Sequence, residues 1–268
     1  MNRPLIIAHR GASAVAPENT LAAFNRAIAD GAEGIELDVR ITKDGVPVVH
    51  HDGNLKRTSG SELLIRELTA DVLAGMDVGS WFASLAPGHW KDEYAKERIP
   101  TLASVLDHFR DFDGLIYVEL KADEGEDLES MVGAVCNTIR DSARPSRVVV
   151  KSFRLAFIPQ LRSICPGLRT AALFAPKIMT ILRKEKYLVD LAVEFGADEL
   201  SVHYSLATKK LMKKASKHRL PVTIWTVDHP RWLRRAIRLG VQNVITNNPS
   251  RLLVRRNELS VRSSAKLS

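Results

Sequence analysis

Short runs of β-branched and apolar residues alternate with amphipathic stretches along nearly the whole chain. The apolar runs near Leu5–Ala8, Gly34–Val39, Leu115–Leu120, Arg147–Lys151, Leu168–Leu173, Glu199–Val202, Pro221–Thr226 and Gln242–Ile245 predict eight strands. Between them, helical spacing predicts helices near Asn19–Asp30, Leu102–Arg110, Asp127–Arg140, Leu155–Ser163, Lys177–Phe195, Thr208–Lys217 and Pro230–Leu239, with a short one after Pro249. Such alternation implies a parallel sheet, because each parallel crossover needs a connection long enough to hold a helix. Eight repeats favour closure into an α/β barrel of the (β/α)8 TIM type over an open doubly wound sheet. Neither G-x-G-x-x-G nor the phosphate-loop pattern G-x-x-x-x-G-K-[S/T] occurs, which removes the signals of a nucleotide-binding sheet.

One segment breaks the rhythm. After the second apolar run, Thr42-Lys43-Asp44-Gly45 reads as a tight turn into Val46-Pro47-Val48-Val49-His50-His51, a hairpin in place of a strand–helix unit. The stretch from Asp52 to Ile99 then holds short helical patterns and Trp81-Phe82 but no strong strand. A long connection in a compact domain is usually functional, so a small insertion over the barrel mouth is expected at about 52–99.

Composition agrees with a single barrel domain over residues 1–256. The chain has 268 residues, 45% of them hydrophobic, enough to fill a full core. No apolar stretch is long enough to span a bilayer. Met1-Asn2-Arg3-Pro4 leads straight into a short strand, without the apolar region of a signal peptide, and Cys136 and Cys165 lack a paired spacing. Free thiols in a cytoplasmic protein are the expectation.

Charge is uneven. The net +8 is concentrated between Ser205 and Arg238, where ten Lys or Arg face the single Asp228, and in the segment after Arg251. Residues 257–268 read as a basic tail without fixed structure. Solvated helix faces account for most of this charge, while attraction to an anionic substrate or peripheral contact with an anionic membrane would use it. Aromatic residues are too sparse among the basic ones for a nucleic-acid motif, so no nucleic-acid partner is expected.

Candidate chemistry sits at the ends of the predicted strands, where barrel enzymes carry their catalytic groups. The first run ends in His9-Arg10-Gly11, the second contains Glu36-Leu37-Asp38, the hairpin returns to His50-His51-Asp52, and the third contains Glu119-Leu120-Lys121. Side chains alternate along a strand, so Glu36 and Asp38 share one face, as do Glu119 and Lys121, with Leu37 and Leu120 turned toward the helices. Carboxylates converging inside a barrel repel one another unless a cation lies between them, and an all-oxygen donor set suits Mg²⁺ or Ca²⁺. His9 and His51 approach the same rim and could divide acid and base roles. His50 and His51 face opposite ways, and His51 is chosen because it precedes Asp52 at the turn. Arg10 and Lys121 together make a reasonable phosphate clamp.

These residues carry a resemblance. His9-Arg10-Gly11, Pro17-Glu18-Asn19-Thr20, Glu36-Leu37-Asp38-Val39, Thr42-Lys43-Asp44-Gly45, His51-Asp52, Arg57-Thr58, Ile99-Pro100-Thr101-Leu102, Val118-Glu119-Leu120-Lys121, Ser152-Phe153 and Trp225-Thr226-Val227 closely resemble the glycerophosphodiester phosphodiesterase family. The resemblance spans about residues 5–250, in order. It implies a TIM barrel with an insertion after the second strand and metal-dependent hydrolysis of glycerophosphodiesters to an alcohol and glycerol 3-phosphate. In residues, it implies Glu36, Asp38 and Glu119 as ligands of one divalent cation and His9 and His51 as the acid–base pair. Arg10 and Lys121 become phosphate contacts, Glu18 a support for the first-strand residues, and Trp225 an aromatic wall against the glycerol or head-group. The alternative it leaves is a lysophospholipase D-type enzyme acting on lysophospholipids at membranes. There is one departure: Thr246-Asn247-Asn248-Pro249 stands where the family often has Thr-Asp-x-Pro, which keeps a hydrogen-bonding group at 247 and drops a charge.

Overall fold

A computed structural model describes residues 3–178 and 184–264. Eight parallel strands close into a barrel: β1 (Leu5–His9), β2 (Gly34–Ile41), β4 (Leu115–Leu120), β5 (Val148–Ser152), β6 (Arg169–Phe174), β7 (Glu199–His203), β8 (Val222–Trp225) and β9 (Asn243–Thr246). Closure comes from β1, which pairs in parallel with both β9 and β2. The short β3 (Pro47–Val49) lies antiparallel on β2 outside this ring, as the Asp-Gly turn predicts.

Helices α1 (Leu21–Ala29), α5 (Leu102–His108), α6 (Leu128–Arg140), α7 (Phe157–Ile164), α8 (Tyr187–Glu194), α9 (Lys209–Lys217) and α10 (Arg231–Leu239) wrap the barrel. Several start where the sequence places a capping side chain: Thr20, Thr101, Asp127 and Thr208 each accept a hydrogen bond from a backbone N–H two or three residues on. The predicted helix over 177–195 is divided. A 3-10 turn occupies Pro176–Ile178 and α8 begins at Tyr187, with residues 179–183 outside the described residues. The last helix, α11 (Pro249–Ser264), is longer than the short one expected after Pro249 and takes in residues 257–264 of the expected tail, while residues 265–268 lie outside the described residues. Pro249 suits a first helical position, and Leu252 and Leu253 pack into the core below it.

Residues 50–101 hold the insertion, with α2 (Lys56–Ser59), α3 (Ala70–Ala74) and α4 (Phe82–Leu85) joined by short turns. Val48, Leu55, Ile65, Leu73, Val78 and Ile99 form an apolar cluster of its own, while Phe82 and Tyr94 pack on Ala16 and Ala23. The thiols of Cys136 and Cys165 are free, and that of Cys136 is pushed up to about 12 by burial and by its neighbour Cys165.

The barrel is filled by apolar layers at mid-height and by polar side chains at both ends. Ile7, Tyr117, Val149, Ala171 and Ile245 form the inner apolar layer. Below it, at the N-terminal ends of the strands, buried Glu199 accepts a hydrogen bond from Tyr117 Oη at 2.9 Å and one from Thr223, and Asn243 donates to Tyr117 Oη at 2.8 Å and to Thr223 Oγ1 at 2.9 Å. Above it lie the ionisable groups. At the turn leaving β1, Gly11 has φ +78, and a Cβ there would come within 2.5 Å of the carbonyl carbon of Ala23. Gly11→Ala is therefore expected to cost about 1–3 kcal/mol through backbone strain, with further loss from the clash, readable as a lower urea midpoint.

Candidate active site

Strand alternation brings the three sequence-predicted carboxylates together. Asp38 is level with Glu119 across β2 and β4, and Glu36 sits one inward position below Asp38. All three are buried, and one oxygen from each lies within 4.8 Å of the other two. Glu36 Oε1, Asp38 Oδ1 and Glu119 Oε1 are buried and lie beside lysine ammonium groups, Lys151 for the first and Lys121 for the other two. Three carboxylates converging this closely in a buried site form an all-oxygen donor set that a hard divalent cation fits.

Three cationic side chains balance this charge within the protein. Arg10 Nε lies 2.9 Å from Asp38 Oδ2, and Lys121 contacts Glu119 closely while standing 3.3 Å from Asp38 Oδ1. Lys151, on β5 level with Glu119, is 2.7 Å from Glu36 Oε1 and 3.3 Å from Glu119 Oε2. Burial by itself would push the Asp38 and Glu36 carboxyls up, but Arg10 and Lys121 beside Asp38, and Lys151 beside Glu36, hold both below the usual carboxylate range. Burial would lower Lys151, and Glu36 and Glu119 outweigh it, so the ammonium stays charged. Asn19, buried and at φ +57, donates from Nδ2 to Asp38 Oδ2 at 2.9 Å and fixes that carboxylate from the other side.

Both predicted histidines stand at this cavity, each held by its Nδ1. His9 Nε2 lies 3.9 Å from Glu36 Oε2, while its Nδ1 meets Asn247 Oδ1 at 2.6 Å. His51 Nδ1 donates to Asp52 Oδ1 at 2.7 Å. A carboxylate can only accept, so the proton of neutral His51 sits on Nδ1 and Nε2 is left bare. Asp52 is gripped by Arg57 Nε at 2.7 Å, and Arg57 continues to Glu18 Oε1 at 2.7 Å. Glu18 then bonds Arg10 Nη1 at 3.0 Å, so an unbroken chain of charges runs from His51 to Asp38. His50 turns the other way, buried, with Nδ1 on Asp52 O at 2.9 Å and Nε2 on Thr58 Oγ1 at 3.0 Å.

Trp225 lies at the rim on the far side of the barrel. Its ring meets Phe153 edge-on at 5.7 Å, and Lys121 Nζ sits 5.8 Å from the Phe153 ring centre, so the aromatic wall reaches the ionic cluster through Phe153. The basic residues of α9 and α10, by contrast, lie on outer helices, with Lys209, Lys210, Lys213, Arg231 and Arg234 exposed.

Sequence reasoning missed Lys151, Asn19, Arg57 and Asp228, the last of which accepts a hydrogen bond from Asn247 Nδ2 at 2.7 Å, as parts of the site. For Lys151 a signal existed: it ends an otherwise apolar strand, the same clue that picks out Lys121. The other three are joined to the site by side-chain contacts between segments far apart in the chain, which local pattern does not encode.

Comparison with known proteins agrees with this geometry. The glycerophosphoryl diester phosphodiesterase family model matches residues 9–251. A glycerophosphodiester phosphodiesterase of Caldanaerobacter subterraneus subsp. tengcongensis is 32% identical over 252 residues, covering 94% of this chain and 97% of that protein. Among solved structures, a Silicibacter pomeroyi protein provisionally assigned to the same family superposes with a TM-score of 0.86 at 28% identity, over 97% of this chain and 95% of that one. An Oleispira antarctica phosphodiesterase, solved with its product sn-glycerol-3-phosphate, shares the fold with a TM-score of 0.83 at 24% identity, over 95% and 97% of the two chains. With the match running from the first histidine of the cavity to the start of the last helix, the chain belongs to the glycerophosphoryl diester phosphodiesterase family.

Proposed function

We propose that this protein hydrolyses glycerophosphodiesters to an alcohol and glycerol 3-phosphate, with Glu36, Asp38 and Glu119 holding one divalent cation, Mg²⁺ or Ca²⁺. The observation that carries the reading is the convergence of three buried carboxylate oxygens within 4.8 Å beside two histidines whose ring nitrogens are already fixed. When bound, the cation would neutralise charge on the phosphate oxygens as the transition state forms. Arg10 and Lys121, paired to the carboxylates in the resting protein, are the cationic groups available to contact a phosphate placed there. His9 turns Nε2 toward Glu36, and His51, held at Nδ1 by Asp52, has Nε2 available for proton exchange. One accepts a proton from the attacking oxygen and the other gives a proton to the leaving alcohol, each role worth about 10²–10⁴ in rate. Glu18 keeps Arg10 in place, and Trp225 with Phe153 offers an apolar wall for the glycerol or head-group.

The test is a panel of substrates against each metal. Glycerophosphocholine is expected to turn over with Mg²⁺ or Ca²⁺ and to cease turning over in excess EDTA, with recovery when the ion is returned. Full activity in EDTA would remove the cation from the reaction. Preference for lysophosphatidylcholine over glycerophosphocholine would move the substrate from small soluble diesters to membrane lipids.

A further inference from the structure

The replacement of the family's frequent aspartate by Asn247 has a partner in the structure. Asn247 Nδ2 lies 2.7 Å from Asp228 Oδ2, and the Asn247 backbone N–H donates to Asp228 Oδ1 at 2.8 Å. Thr246 Oγ1 donates to the same oxygen at 3.1 Å, so Asp228 is gripped on the loop after β8 by three donors. A carboxylate accepts and does not donate, so the amide nitrogen of Asn247 must face Asp228 and its oxygen must face the other way. That oxygen is the atom 2.6 Å from His9 Nδ1, with Ser13 Oγ also beside it at 3.0 Å.

We propose that Asp228 and Asn247 act as a two-step positioning relay for His9, with Asp228 fixing the amide orientation of Asn247 and Asn247 fixing the tautomer and direction of the imidazole. An amide oxygen cannot donate, so neutral His9 carries its hydrogen on Nδ1 and turns a bare Nε2 toward Glu36, 3.9 Å away. Without Asp228 the amide could flip and present its NH₂ to the ring, which would select the opposite tautomer and block Nε2 from accepting. The negative charge absent from position 247 is therefore carried at 228, one hydrogen bond further from the ring. Interposing the amide keeps a formal charge off His9 while preserving the hold that a direct carboxylate gives in a Ser-His-Asp arrangement. The relay rests on the reading of His9 as a proton-transfer group and explains why Asn at 247 accompanies Asp at 228: carboxylates at both positions would face each other across 2.7 Å.

The test is steady-state kinetics on glycerophosphocholine with saturating divalent ion, alongside thermal midpoints. Asn247→Leu is expected to lower kcat by about 10- to 100-fold, the usual effect of removing the partner that orients an active-site histidine, with KM and the midpoint nearly unchanged. Asn247→Asp alone is expected to lose activity by a similar factor, because the new carboxylate is set against Asp228. Adding Asp228→Asn should return kcat to within about threefold of the parent, since an amide can then donate to the carboxylate across the same contact, a coupling read from the double-mutant cycle. A purely structural role predicts a lowered midpoint and no rescue by the second change. Parent-like kcat in Asn247→Leu, or a double variant no better than Asn247→Asp, overturns the relay while an inactive His9→Ala enzyme leaves the proton-transfer reading standing. An active His9→Ala enzyme removes that reading and the relay with it.

Discussion

Replacing His51 by alanine is expected to lower kcat by about 10² to 10⁴, with His9→Ala falling in the same range. The size follows from the way each ring is held. Asp52 fixes Nδ1 of His51 at 2.7 Å and is itself clamped by Arg57 at 2.7 Å, so the imidazole is prepared to exchange a proton through Nε2 without first reorienting. Removing the ring takes away a proton acceptor or donor that water replaces poorly. The fold should survive, because the His51 side chain is 30% exposed and fills no core space. His50 is the instructive neighbour. It is 4% exposed with both nitrogens bonded, so its loss should appear in the unfolding curve, as a buried hydrogen-bonded group removed from the fold. Single-turnover and steady-state rates with purified, folded variants check the expectation, and ordinary turnover in both His9→Ala and His51→Ala would end the acid–base assignment.

The second large effect is on stability. Lys151→Met should destabilise the metal-free protein by about 3–5 kcal/mol, the usual cost of leaving buried charge without its partner. Lys151 is 2% exposed and bridges Glu36, fully buried, and Glu119, 4% exposed. Methionine fills a similar volume, so the loss would report charge more than packing. Urea unfolding in EDTA gives the cost, and the same titration with saturating Mg²⁺ or Ca²⁺ should recover most of it, because a divalent ion replaces the missing positive charge. Equal stability of parent and variant in EDTA would show that the carboxylates do not depend on Lys151. This pair of measurements reads ion binding without any substrate.

Much of this arrangement was legible from periodicity. The eight strands fall within a few residues of their predicted positions because a strand buried on both faces leaves an unbroken apolar signature, and the Asp-Gly turn marks the one hairpin. Alternation put Glu36 and Asp38 on one face, and it separated His51 from His50. What alternation cannot give is which neighbours a side chain meets across the ring. Lys151 required the β4–β5 register, and the contacts Arg57–Glu18 and Asn247–Asp228 required loops to be placed in space. The last helix was underestimated because its basic surface resembles a solvated tail, while Leu252 and Leu253, which pin it, are too few to stand out.

The hydrogen-bonded group of Tyr117, Glu199, Thr223 and Asn243 stoppers the barrel from beneath, each of its members no more than 1% exposed. Among the described residues, this group closes the bottom of the barrel, so a diester reaches the ionic cluster from the opposite end, where the strands finish. Substrate and products then share that end of the barrel, and whatever leaves last decides when the next molecule can enter.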